Sequence, residues 1–302
     1  MRVLVTGGAG FIGHAVVAEC RQRGDEVLVV DVQPPVAPHP GVQYHELRLP
    51  SAELSHLVGS FAPDLCVHCA GRASVAASVE DPWTDFLGSV DGTFAILEGL
   101  RLSAPACRLV LLSSAAVYGD PRTLPIDETA PLCPISPYGF HKAAAELLCR
   151  EYTVVYGIQT VVLRIFSAYG PGLRRQVMWD IARKLFQNDT VELFGLGNET
   201  RDFVHVTDIA RGALHLAEHG VLDGSAYNIA SGQAITIANL ADVLRRRLRP
   251  AARVVFSGIR SPGDPVQWEA NVRKLQATGF QWEVPWTDGL DAYADWVEQV
   301  CG

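Results

Sequence analysis

The stretch MRVLVTGGAGFIG (Met1–Gly13) decides how the rest of the chain is read. Arg2–Val5 is a short run, largely apolar and half β-branched, with the character of a buried strand, and residues near 12–23 have the character of a helix. The glycines between them have separable roles. Gly7 allows a tight turn, Gly10 lets the backbone approach a pyrophosphate, and Gly13 lets the helix pack against the sheet. Phe11 and Ile12 open that helix, whose N-terminal amides face negative charge. A glycine pattern alone also occurs in ordinary turns. Its position between a first strand and a first helix makes it a dinucleotide-binding signature.

Working outward, Glu26–Asp31 reads as the second strand and ends on an acid 18 residues beyond Gly13. A carboxylate there accepts the ribose hydroxyls of NAD and repels the additional phosphate of NADP. No Arg or Lys occurs after it until Arg48, so NAD is the expected cofactor. Leu65–Cys69, Arg108–Ser113 and Thr160–Arg164 read as further strands, with helices near 83–103 and 137–155. This alternation predicts an α/β fold, a doubly wound parallel sheet with helices on both faces. Beyond about residue 170 the rhythm loosens, and Gly and Pro punctuate it at Gly170–Gly172, Gly195–Gly197 and Pro262–Pro265. Helices are expected near 176–187, 207–219, 236–248 and 288–300. The organisation expected is a cofactor domain over 1–170, to which later segments return, and a smaller, mainly substrate-binding lobe over 171–302.

Bulk properties narrow the function. The chain has 302 residues and a formal net charge of -8, which argues against nucleic acid as a partner, since phosphate binding needs a basic footprint. The basic run Arg245–Arg249 sits at the end of an expected helix, where cations suit the helix dipole. No apolar stretch approaches the roughly 20 residues of a membrane span. The seven cysteines show no framework spacing and no leader pattern precedes the first strand, so a reducing, cytoplasmic setting is expected. Cys66 and Cys69 match C-x-x-C, but they lie in an apolar strand and no second pair completes a metal site, so a core role is expected and no metal.

Ser136-Pro-Tyr138-Gly-Phe-His-Lys142 places Tyr138 and Lys142 four residues apart, on one face of a helix. A phenol of ordinary pKa near 10 is a poor base at neutral pH, and a neighbouring ammonium stabilises its phenolate. The same spacing arises by accident on many amphipathic helices. Here a strand ending at Ser113-Ser114 can offer a hydroxyl to the same substrate oxygen.

TGGAGFIG (Thr6–Gly13), SSAAVYG (Ser113–Gly119) and YGFHK (Tyr138–Lys142) together resemble the extended short-chain dehydrogenase/reductases, in their nucleotide-sugar epimerase/dehydratase branch. The resemblance continues through LRIFSAYGP (Leu163–Pro171) and TRDFVHV (Thr200–Val206), and so spans nearly the whole chain. It implies a Rossmann-like fold and a catalytic triad of Ser114, Tyr138 and Lys142. It brings Ala70 and Gly71 close to the cofactor and assigns Ser167, Phe194 and Arg201 to the substrate, with Arg201 on a diphosphate and Phe194 near the base. It offers Arg260 as a second phosphate ligand, although its spacing from Gly263-Asp264 differs by one residue from the family pattern. Ser89 stands where relatives carry Asn near the nicotinamide ribose, and it keeps one hydrogen-bonding group there. His141 and His205 are read as packing or surface residues. Helices near 83–103 and 137–155 resemble those that pair in the family's homodimers.

The two residues after Ser114 discriminate between reactions. Dehydratases of this branch use an Asp-Glu pair where this chain has Ala115-Ala116, and decarboxylases carry Glu at the position of Ala116. Elimination needs an acid to protonate the leaving hydroxyl. What remains is reversible oxidation at one carbon, the chemistry of a UDP-sugar 4-epimerase passing through a 4-keto intermediate. Arg174 lies three residues beyond Pro171, where UDP-glucuronate 4-epimerases use an Arg for the substrate carboxylate, with Arg175 as its competitor. UDP-glucuronate is therefore the favoured substrate, with UDP-glucose or UDP-N-acetylglucosamine as alternatives. A 4-keto-sugar reductase would share the triad but consume its cofactor. A cofactor-sensing binding protein on the same fold would need no triad.

Overall fold

The computed structural model describes residues 1–259 and 266–301. β1 (Arg2–Thr6) leads through α1 (Phe11–Gln22) to β2 (Glu26–Asp31) and β3 (Gln43–Glu46). After α2 (Glu53–Phe61) comes β4 (Leu65–His68), then α3 (Val75–Glu80), α4 (Pro82–Phe86) and α5 (Gly92–Ser103). β5 (Arg108–Ser114), α6 (Pro137–Tyr156) and β6 (Thr160–Ile165) complete the first half. The second half runs through β7 (Ser167–Tyr169), α7 (Gln176–Gln187), β8 (Thr190–Leu193), β9 (Thr200–His205), α8 (Val206–His219) and β10 (Asp223–Ile229). It ends with β11 (Ala234–Thr236), α9 (Ile237–Leu248), β12 (Arg253–Phe256), α10 (Arg273–Gln276) and α11 (Trp286–Cys301).

The large sheet has the order β10-β6-β5-β4-β1-β2-β3, with every neighbouring pair parallel. Central strands such as Val3–Val5 and Val161–Leu163 are buried on both faces, so they read as continuous apolar runs rather than alternating ones. One core, with Val16, Val17, Ala213 and Leu216, lies under α1 and α8. The opposite core lies under α2, α5 and α6, with Val58, Leu100, Cys149 and Tyr152. The strand order reverses between β1 and β4, whose carboxyl ends meet at Thr6 and His68. In open sheets of this kind a ligand crevice forms at that switch point.

The chain leaves this sheet after Ile165. β7, β9 and β11 form a small sheet, β8 pairs with β12, and α7, α9 and α11 cover them around Ile181, Leu240 and Tyr293. α8 then packs on α1 and β10 pairs with β6, so the chain returns to the large sheet. The Arg245–Arg249 run is spent inside the smaller lobe. Arg245 and Arg246 pair with Asp242, Arg247 with Asp295 and Glu298, and Arg249 with Asp189.

Some elements differ from the sequence reading. The helix expected near 83–103 is broken into α4, a π turn at Leu87–Asp91 and α5, with Asp81 capping α4 ahead of Pro82. The π turn fits one extra residue and turns Ser89 into the interior, where it is 1% exposed. β3 is a polar edge strand, α2 is short, and β10 carries a bulge. None of them shows a clean periodicity.

A buried polar network locks α6 to the sheet. Glu146 accepts from Arg164 on β6 (Nη2–Oε2 2.7 Å) and from the Ser113 hydroxyl on β5 (2.5 Å). Arg164 also donates to the Tyr118 hydroxyl (2.8 Å), which donates to Asn228 on β10 (2.7 Å). Removing one member of a buried ion pair strands the other charge in the interior. Glu146→Ala is expected to cost roughly 3–5 kcal/mol of stability, read as a lowered urea midpoint.

Candidate active site

α6 starts where it does because Ser136 caps it, its hydroxyl accepting from the Gly139 amide (3.2 Å), while Pro137 occupies the first helical position. Ser114 ends β5 in an extended conformation and accepts from the Ala116 amide (3.2 Å), capping a short 3₁₀ turn over Ala115–Tyr118. Gly139 lets these two starts meet. A Cβ there would lie 2.6 Å from the Ala116 carbonyl oxygen, so only glycine lets the first turn of α6 reach the turn behind Ser114. The Tyr138 amide, free at a helix start, donates to the Ser78 hydroxyl on α3 (3.1 Å).

Tyr138 and Ser114 line the same stretch of cavity wall. Burial raises the Tyr138 phenol above its ordinary value, and the Ser114 hydroxyl and the Arg175 charge oppose that rise. Lys142 is 6% exposed and donates from Nζ to the Leu112 carbonyl (2.9 Å). Its ammonium is pushed down by burial and held up chiefly by Asp85. Arg175, in the same wall as Tyr138, is a cation that favours the phenolate. Lys142 lies toward Gly71, where an added Cβ would come 3.8 Å from Nζ.

One cavity of about 550 Å³ lies between the large sheet and the smaller lobe. Phe11, Ile12 and Gly71 line its cofactor side, and Ser114, Tyr138 and Lys142 its centre. Ser167, Phe194 and Arg201 line its far side. Arg201 donates to the Thr200 carbonyl (2.8 Å) and sits over the Trp268 ring at 5.7 Å, and Trp268 is itself in the wall. Glu199 accepts from the Leu196 and Gly197 amides (2.9 and 2.8 Å) and so shapes the loop that carries Phe194.

The expectation for Arg174 needs correcting. Its guanidinium lies over the Trp179 and Trp296 rings, at 6.0 and 5.7 Å, on the outside of the lobe. Its neighbour Arg175 is in the cavity wall, because the extended backbone at the start of α7 turns consecutive side chains to opposite sides. Arg260 lies outside the described residues. The wall also holds Arg72–Val75, which carry no motif that sequence reading could use. Ser78 and Gly139 were likewise missed, although the Ser136-Pro-Tyr-Gly start of a helix was a usable sign for Gly139. His141 is no plain packing residue. Its Nδ1 lies 2.5 Å from Oδ2 of Asp85, a fully buried acid.

The residues at the switch point fit a dinucleotide. Gly7 has a φ of +69°, and a Cβ on Gly13 would collide with the Gly7 carbonyl. Asp31 accepts from the Ala9 amide in the glycine loop (2.9 Å), which fixes its carboxylate beside that loop. The Ala70 amide lies against Gly7, where the carboxyl ends of β1 and β4 meet. The Ser89 hydroxyl is buried without a hydrogen-bond partner, beside Gly71. Cys66 is fully buried and burial pushes its thiol up, in keeping with a core role. Among the described residues no group of His, Cys, Asp or Glu could hold a metal ion, and no helix is long and apolar enough to cross a membrane.

A dinucleotide crevice at the switch point, with a Ser-Tyr-Lys set at its mouth, defines a nicotinamide-dependent enzyme of the short-chain dehydrogenase/reductase kind. The sequence profile described as the NAD dependent epimerase/dehydratase family matches residues 3–230, and the chain belongs to that family, with NAD as its cofactor. A UDP-glucose 4-epimerase of Halalkalibacterium halodurans is 30% identical over 94% of this chain and 90% of its own. The UDP-glucose 4-epimerase of Thermotoga maritima, solved with UDP-glucose, superposes with a TM-score of 0.92 at 27% identity and covers all of both chains. The UDP-glucuronic acid 4-epimerase of Bacillus cereus, solved with UDP-glucuronic acid and NAD, has a TM-score of 0.89 at 26% identity, over 99% of this chain and 100% of its own.

His68 yields a prediction about acid stability. Its ring is bonded to Thr6 (2.6 Å) and Thr93 (3.1 Å), and burial, with Lys142 nearby, pushes it down to about 3. The native chain therefore binds this proton less readily than the unfolded chain. Its contribution to stability is complete above about pH 6.5 and is lost as pH falls toward 3. His68→Asn should accordingly show a shallower fall in Tm than the parent between about pH 6.5 and 4.5, measured by calorimetry.

Proposed function

We propose that this protein is a UDP-sugar 4-epimerase, and that its sugar is UDP-glucuronate, interconverted with UDP-galacturonate. The observation that carries the reaction is the pairing of Tyr138 with Ser114 directly ahead of Ala115 and Ala116. The base and the hydroxyl needed to make a ketone are present, and an acid to expel a hydroxyl is missing from that turn. Of the acids in the cavity wall, Asp180 pairs with Lys184 and Glu199 binds backbone amides.

In this reading Ser114 holds the C4 oxygen while Tyr138, as phenolate, takes the proton from the C4 hydroxyl. NAD, when bound, supplies the two-electron acceptor for C4 and returns the electrons. Gly7, Gly10, Gly13, Asp31, Ala70, Gly71 and Ser89 would hold it, with Lys142 toward its ribose. The 4-keto sugar turns in the cavity, so that C4 is reduced from its other face, and Tyr138 gives the proton back to the C4 oxygen. No outside acid or base is needed, and no net redox change results. Arg201 and Phe194 hold the diphosphate and base.

The preference for an acidic sugar rests on Arg175. A guanidinium in the wall, close enough to act on Tyr138, suits a C6 carboxylate one carbon from the ring. We further propose a homodimer through α5 and α6. Phe140, Leu147 and Val154, seven residues apart along α6, and Phe94 on α5 are all exposed, and an apolar stripe of this kind favours helix pairing. A cytoplasmic setting is the one that keeps the cysteines as the free thiols they are here.

Tyr138→Phe should lower kcat for epimerisation about 100- to 10,000-fold, followed by NMR of the UDP-sugar products. Arg175→Ala should lose roughly tenfold to a hundredfold in kcat/KM on UDP-glucuronate while sparing UDP-glucose, with Arg174→Ala sparing both. Equal losses on the two sugars would remove the carboxylate role. Leu147→Glu should convert a dimer to a monomer in sedimentation analysis.

A further inference from the structure

α3 and α4 touch the catalytic helix at two points. The first is the Ser78 hydroxyl under the Tyr138 amide. The second is the contact of Asp85 with His141, the residue next to Lys142 and one turn beyond Tyr138. Asp85 is fully buried on α4, and its second oxygen, Oδ1, is buried without a hydrogen-bond partner. His141 is largely buried, and its imidazole meets the Phe86 ring in a T-shaped arrangement at 5.6 Å that seals the contact. A carboxylate with one bare oxygen in a protein interior is costly unless its charge acts on something nearby. The charges nearby are those of the active site.

We propose that Asp85, held by His141, is a positioning residue of this active site, fixing α4 against α6 and supplying a negative field to Tyr138 and Lys142. This rests on the assignment of Tyr138 as the base in the proposed function. Asp85 acts on both groups, since it is the main influence raising Lys142 against burial and it also raises Tyr138. The other titratable neighbours of Lys142 are Cys69, His68, Glu146 and Cys149, and Tyr138 faces Arg175. Glu146 is committed to Arg164 and Ser113, His68 to two threonines, and Cys149 and Cys69 are free thiols, the first buried and the second half-buried. α4 packs against α3, the π turn and α6. On the first two, Glu80 is exposed, Asp81 is tied to Arg72 and the Thr84 amide, and Asp91 is half-buried. Asp85 is thus the fully buried acid of this group without a complete set of partners.

The test uses the NAD-loaded full chain. The phenolate absorbance of Tyr138 is titrated as the difference between the parent and Tyr138→Phe, and the acid limb of the kcat/KM profile is followed alongside. Asp85→Asn keeps the shape and one hydrogen bond but removes the charge. It should move both the Tyr138 titration and the acid limb to lower pH by about one unit, and Asp85→Glu should move them back toward the parent. If Asp85→Asn cannot be isolated folded, Asp85→Ser serves, since it also removes the charge from α4, and should move the titration to lower pH in the same sense. An unmoved titration in the folded variant, with only Tm lowered, would reduce the pair to a structural tie and overturn the proposal, as would a shift of the opposite sign. Because the absorbance titration needs no sugar, a shifted titration without epimerase activity would sink the proposed reaction alone. Activity with an unshifted titration would sink the Asp85 role alone.

Discussion

The buried ion pair between Glu146 and Arg164 is the constraint on which the site depends. Glu146 lies one turn beyond Lys142 and two turns beyond Tyr138, so whatever fixes it fixes the rotation of α6 about its axis. Its carboxylate accepts from β6 through Arg164 and from β5 through Ser113, the residue before Ser114. Arg164 continues the network to Tyr118 in the 3₁₀ turn and to the Glu128 carbonyl, and Tyr118 reaches Asn228 on β10. Three strands, the turn behind Ser114 and the catalytic helix are therefore held by one set of bonds. Fully satisfied, such a network imposes a single geometry, because every alternative leaves a charge or a polar group unpaired in a low-dielectric interior.

On that frame the active site is assembled from segments that have little in common in sequence. β5 delivers Ser114, the start of α6 delivers Tyr138, and Gly139 lets the two come together. The smaller lobe brings Arg175, Phe194 and Arg201 across the cavity. Burial works against both titrating groups, raising the phenol and lowering the ammonium. The site answers with local charges and hydrogen bonds: Ser114 and Arg175 at the phenol, and the Leu112 carbonyl and Asp85 at the lysine. The alanines after Ser114 keep an acid out of the turn closest to the reacting hydroxyl, and that absence shapes the chemistry as much as the groups present.

The cofactor end was legible residue by residue. Gly7, Gly10, Gly13 and Asp31 are short-range requirements of a turn, a helix start and a strand end, so their spacing along the chain is also their spacing in space. Tyr138 and Lys142 were legible for the same reason, since a helix converts a separation of four into a shared face. The site across the cavity was less so. Arg174 and Arg175 are adjacent, and nothing local tells which of two neighbours faces inward. That depends on the extended backbone before α7 and on Trp179 and Trp296, whose rings take up Arg174. The break in the helix expected near 83–103 was hidden too, because a π turn leaves the apolar pattern on either side nearly intact.

The sequence by itself determined the parallel sheet, its glycine loop, the choice of NAD and the pairing of Tyr138 with Lys142 on one helix face, because each arises from periodicity or from contacts within a few residues. Ser114 entered through the family resemblance. Only the tertiary structure decided which arginine lines the cavity, that Ser78 and Gly139 set the catalytic helix in place, and that Asp85 lies buried against His141. The contacts of Ser78 and Asp85 join residues 60 and 56 positions apart, and the choice of arginine depends on which side of an extended strand faces a cavity built by another lobe. Distance along a chain carries no record of such meetings until packing closes them.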